Sequence, residues 1–160
     1  MSTMSAILIS LLICAVATGL EGLFAGKNVK GVLAKLAKPR FSPPFWLWVV
    51  IGVFYYVTYF FILFRVLRYS DNFAIRYTAF ALVLVILGLN AFWNYFFFRR
   101  ENLFAASVLG GFYSLVAIAL FVCLWQFDYL AAYVLIPYLL YLIYAFYWSF
   151  GLMNLNLKKR

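Results

Sequence analysis

Histidine is absent from the 160 residues. That removes His-ligated haem, His-based zinc sites and Ser-His-Asp catalysis at once. Acidic side chains are scarce too: Glu21, Asp71, Glu101 and Asp128 are the four in the chain. All fall near the ends of apolar runs, and no two share a spacing suited to acid–base work. Two cysteines, Cys14 and Cys123, sit in apolar stretches and offer neither metal-ligand spacing nor a disulfide framework. There is no glycine-rich phosphate loop. There is also no intramembrane row of acids or bases of the kind proton pumps use, which argues against ion-coupled transport. Charged residues make up 11% of the chain, against about 25% in an average soluble domain.

What the chain has instead is apolar surface. Hydrophobic residues are 69% and aromatic residues 23%, with 19 Phe, 13 Tyr and 5 Trp. A soluble fold of this length cannot hide so much apolar area, whereas lipid accepts it. A spanning helix needs about 20 apolar residues. The runs predict five such helices, at about 4–24, 44–65, 74–98, 103–126 and 129–153. The expected fold is therefore all-α: an integral membrane five-transmembrane-helix bundle, with residues 1–160 as one domain. The first run resembles a signal peptide at Ala15-Val16-Ala17, but no Lys or Arg precedes it, so it reads as an uncleaved helix. Its small residues Ala15, Gly19 and Gly22 would let another helix approach closely. Glu21, near its end, either snorkels to the interface or faces a cavity, and the first is the expectation.

The first loop, 25–43, is the longest joint. It has room for a short amphipathic helix around 29–37 before Pro39 breaks it, and Pro43-Pro44 start the second span. The remaining joints, Arg65 to Asp71, Arg99-Arg100-Glu101 and Gln126 to Asp128, are short enough to make consecutive helices antiparallel neighbours.

The net charge of +9 is read as topology, with no nucleic-acid partner expected. Arg65, Arg68 and Arg76 fall on one side. Lys27, Lys30, Lys35, Lys38 and Arg40 of the first loop fall on the other, with Arg99, Arg100, Lys158, Lys159 and Arg160. The positive-inside rule then puts the C-terminus in the cytoplasm and the N-terminus outside, in a bacterial inner membrane or an organelle membrane.

Three spans carry rings and amides at helical spacing. Asn90, Trp93, Asn94 and Phe97 share one face; so do Trp48, Gly52, Tyr56 and Tyr59, and so do Pro137, Tyr141, Tyr144 and Trp148. Amides in the hydrocarbon region need partners, so the Asn90 face points inward. Two readings follow. The rings pack helix on helix, or they line a cavity for a flat, largely apolar molecule, which a kink at Pro137 would help to open.

The motifs resemble those of the translocator protein / tryptophan-rich sensory protein (TspO/MBR) family. The run Leu36-Ala37-Lys38-Pro39-Arg40-Phe41-Ser42-Pro43-Pro44-Phe45-Trp46 is similar to the family's L-x-K-P-x-W-x-P-P-x-W. Leu89-Asn90, Trp93 and Phe97-Phe98 are similar to L-N-x-x-W-x-x-x-F-F. Ala132 to Leu139, with Pro137-Tyr138, is similar to A-x-x-L-L-x-P-Y-L. The resemblance implies a homodimer in the lipid bilayer, with a pocket beneath the first loop for a hydrophobic small molecule. That ligand would be a porphyrin or other tetrapyrrole, or a sterol, and no covalent cofactor is implied. Carried over by position, the site comprises Phe41, Pro43, Pro44, Trp46, Gly52, Asn90, Trp93, Tyr138, Tyr141, Ala145 and Trp148. Phe41 replaces a Trp of the motif, and Ser149 a frequent Asn. Gly52 and Tyr141 replace pocket tryptophans linked to light-driven porphyrin breakdown, so a receptor or carrier is expected before an enzyme. Tyr141 is the one candidate redox ring at those two positions. The alternatives are a porphyrin photo-oxidising enzyme and a ligand-free structural protein. The latter would associate through its small residues, among them Ala79, Ala105, Ala106, Gly110 and Gly111.

Overall fold

The structure, a computed structural model, describes residues 1–69 and 73–157. Asp71, where the second joint was expected to end, and Lys158, Lys159 and Arg160 of the charge count lie outside the described residues. The elements are α1 (Thr3–Ala25), α2 (Val29–Lys35), α3 (Phe45–Tyr69), α4 (Phe73–Asn94), α5 (Leu103–Trp125) and α6 (Tyr129–Leu157). A π-helical turn, Tyr95–Arg99, extends α4. There is no strand among the described residues. Five of the helical segments are long and apolar enough to cross a membrane, and α2 is the short helix of the first loop.

Helix ends follow local chemistry. The Ser2 hydroxyl accepts the Ser5 N–H at the start of α1, and Gly26, at φ 75°, closes its end by donating to the Gly22 carbonyl. Pro44 precedes α3 rather than lying inside it, and its carbonyl takes the Leu47 N–H at 3.0 Å. The second span, α3, runs four residues past the expected 65, and Arg65 and Arg68 at that end are held. Arg65 Nε donates to Asp128 Oδ2 at 2.6 Å, and Arg68 Nε to Thr3 Oγ1 at 3.1 Å. Asn102 caps α5 by accepting the Ala105 N–H, and Asp128 caps α6 by accepting the Ala131 N–H. α6 runs through Pro137 as one helix.

The five spans close into a ring: α1 packs on α3 and α4, α5 on α4 and α6, and α6 returns to α3. The main core gathers Tyr55, Tyr59, Ile62 and Leu63 with Val83, Ile86, Leu120, Leu124 and Leu135. A second cluster, Phe97, Ala106, Trp148 and Leu152, sits under the first loop, with Leu33 and Leu36 packed against it. The small residues divide between the core and the outer surface. α1 packs through Ala6, Ser10, Cys14 and Ala17, and the Ala15–Gly19–Gly22 stripe faces outward. Ala79 and Ala106 are fully buried inside the chain, so neither is available as an association surface.

Candidate functional site

The first loop is fastened to α6 by four hydrogen bonds from three α6 side chains. Asn156 clasps the Ala37 peptide, accepting its N–H at 3.0 Å and donating to its carbonyl at 2.9 Å. The Tyr144 hydroxyl donates to the Phe41 carbonyl at 2.6 Å, and Trp148 Nε1 to Ser42 Oγ at 2.8 Å. Gly151 lets the loop come close. A Cβ there would lie 3.1 Å from Pro39 Cγ.

Beneath the loop, between the two core clusters, lies a two-lobed cavity. The smaller lobe, about 100 Å³, is lined by α4, α5 and α6 with Trp48 of α3. It includes Ser107, Gly110, Ser114, Ala145 and Ser149. The larger lobe, about 210 Å³, lies toward α1 and the loop and includes Glu21, Leu33, Phe45, Gly52, Tyr55 and Phe97. Trp48, Asn90, Trp93, Tyr138, Tyr141 and Trp148 belong to both walls. Together the lobes reach the lower end of the small-molecule range, about 300–1,000 Å³.

The rings are held in place. Trp93 stacks on Phe97 at 4.7 Å between centroids, and Trp48 meets Trp148 at 4.8 Å. The Tyr113 and Tyr138 hydroxyls share a hydrogen bond of 2.6 Å, with the Tyr55 and Tyr59 rings each 5.5 Å from Tyr138. Ser107 and Ser149 bond across α5 and α6 at 3.0 Å. The Asn94 amide is spent on the Asn90 carbonyl one turn back. The amide of Asn90 donates to Glu21 Oε1, which also accepts from the Tyr56 hydroxyl at 2.6 Å.

Of the residues named from the sequence, the structure brings Gly52, Asn90, Trp93, Tyr138, Tyr141, Ala145 and Trp148 to this cavity. Phe41 and Trp46 point outward, at 70% and 64% exposure, and Pro44 is exposed. Pro43 lines a separate cleft of about 250 Å³ with Lys30, Lys38 and Ser42. Pro137 and Tyr144 share the helix face of Tyr141 without lining either lobe.

Glu21 is the main correction. It does not snorkel; it turns into the larger lobe, because Tyr56 and Asn90 meet it there. The sequence signal was a carboxylate inside an apolar span, which in lipid is costly and marks function by default. Tyr55 and Ser107 had no such signal, since nothing local separates them from packing residues, and Ser149 was marked only by its motif position.

Comparison with known proteins gives one result. The model of a family described as the TspO/MBR family matches residues 9–155. No curated protein matches the chain.

Proposed function

The chain belongs to the TspO/MBR family, and on that premise we propose that it is a membrane receptor or carrier for a tetrapyrrole or a similarly flat apolar ligand such as a sterol. The observation that carries the reading is the six-residue wall common to both lobes, in which flat rings surround one bonded amide, Asn90. Rings of this kind stack on a planar ligand, while Asn and Tyr groups meet its few polar atoms. The role is in tetrapyrrole handling or stress. The protein works as a homodimer, with the N-terminus outside and the first loop and C-terminus in the cytoplasm, so the ligand arrives from the cytoplasmic side. The basic loop supports that orientation. Labelling of single cysteines placed at Ser2 and Lys27 tests it: only the former should react from outside.

The first experiment is titration of the purified protein in detergent with protoporphyrin, followed by quenching of its five tryptophans. Saturable quenching is expected, with Trp93→Ala and Asn90→Ala each weakening affinity about tenfold or more while the bundle stays folded. Linear quenching equal to that of an unrelated membrane protein would overturn the reading.

A second reading is oxidative or photochemical turnover of the bound ring. The favouring observation is that three indoles, Trp48, Trp93 and Trp148, line the cavity despite Gly52 and Tyr141. Illuminated porphyrin should then lose absorbance faster with protein than in empty micelles.

A further inference from the structure

Among the described residues, Glu21 is the sole carboxylate in the wall of the larger lobe. Both of its protein hydrogen bonds, from Tyr56 and Asn90, fall on Oε1. No described residue donates to Oε2. No lysine or arginine among the described residues lines the lobe. The described cations of this end of the bundle are placed elsewhere. Arg99 reaches the Leu23 carbonyl at 3.4 Å, and among the described residues it makes no ion pair with Glu21. Lys30 and Lys38 line the neighbouring cleft beside the loop. A second observation comes from another helix. Tyr55 lines the same lobe, and its buried hydroxyl has no hydrogen-bond partner among the described residues, a property shared by Tyr59, which lines neither lobe. Glu21 is partly buried, and holding a carboxylate away from bulk water with neutral donors on one oxygen only is costly, as is leaving a hydroxyl unmet.

We propose that Glu21 is the polar end of the ligand site and accepts, through Oε2, a hydrogen bond from a nitrogen-borne hydrogen of the ligand. The site then takes flat apolar molecules that carry a pyrrole-type N–H or a protonated nitrogen. This rests on the cavity being a ligand site, as above, and adds the class of molecule it selects. The planar body lies against Trp48, Trp93 and Tyr141, and the nitrogen faces α1. A carboxylate in the same place would meet Glu21 at close range in a medium of low dielectric, so acidic arms of a ligand are excluded from this lobe. They are directed toward the Lys30 and Lys38 cleft instead. A charge-assisted hydrogen bond is about twice as strong as a neutral one, which makes the nitrogen the deciding group between ligands of equal shape.

The test uses two three-ring probes: 9-aminoacridine, protonated and rich in N–H at neutral pH, and 9-methylanthracene, which has neither charge nor donor. Each is titrated into the full chain in a nonionic detergent, with wild type and Glu21→Gln side by side, so that partition into micelles cancels. We expect the wild-type preference for 9-aminoacridine to fall about tenfold in Glu21→Gln, the loss of one charge-assisted bond. Glu21→Asp, which keeps the charge, should retain most of it. An unchanged preference in Glu21→Gln overturns the proposal. Should that variant not fold, wild type decides alone: a preference for 9-aminoacridine no greater than that of empty micelles overturns it. Saturable protoporphyrin binding with an unaltered probe preference would remove the role of Glu21 and leave the proposed function standing. Selective, Glu21-dependent binding of 9-aminoacridine without protoporphyrin binding would do the reverse.

Discussion

Trp46 and Trp48 are two residues apart, and the helix turns about 200° between them. One therefore faces out while the other lines the cavity, so motif position selects Trp46 and helical periodicity selects Trp48. At Gly52 a Cβ would meet no atom within 4 Å. Gly52→Ala should fold normally and melt slightly higher in detergent, by about 0.5–1 kcal/mol of helix stability. Tyr138 is different, being 4% exposed with its hydroxyl on Tyr113. Tyr138→Phe leaves the Tyr113 hydroxyl buried without its partner, so a loss of about 1–3 kcal/mol is expected in denaturant titration. The prominence of Tyr138 was legible in the Pro137-Tyr138 motif. Its bond to Tyr113 was not, because the two lie 25 residues apart on different helices.

Short joints depend on a few polar side chains. Asp128 caps α6 and pairs with Arg65 at the end of α3, with side-chain exposures of 5% and 23%. Removing one partner of a buried pair costs about 3–5 kcal/mol, so Asp128→Ala should lower the melting temperature sharply. The exposed Lys35–Glu101 contact at 3.9 Å contributes little, and Lys35→Ala should leave stability unaltered. Asn156 holds the first loop through two hydrogen bonds to one peptide. Asn156→Ala should speed amide exchange at Ala37 and accelerate ligand release more than it slows binding. The loop helix was readable from Pro39 and the spacing of apolar residues. Its fastening was not, since Asn156 lies 119 residues away. The π-helical turn at Tyr95–Arg99 also had no local signal, because it reflects how Phe97 and Trp93 stack beneath the loop.

At the scale of the whole molecule, ring closure between α6 and α3 brings Trp48 and Trp148 together and creates the space under the loop. A ligand that binds only the closed bundle stabilises it by mass action. Protoporphyrin at about 100 times its dissociation constant should add about 2.7 kcal/mol to unfolding, and Trp93→Ala should abolish that gain. A thermal scan with and without ligand measures it.

Composition and periodicity alone determined that this chain lives in lipid as five helices, and that the ring-bearing faces of α3, α4 and α6 turn inward. Those outcomes depend on the energy of apolar surface and unmet amides, which any 20-residue stretch carries within itself. Its motifs also indicated the family. Only the tertiary structure decided that Glu21 turns inward, that Trp48 and not Trp46 meets the cavity, and that the space divides into two lobes. Those depend on where side chains far apart in sequence meet, and a donor such as Tyr56 redirects a carboxylate 35 residues away only once the helices have packed.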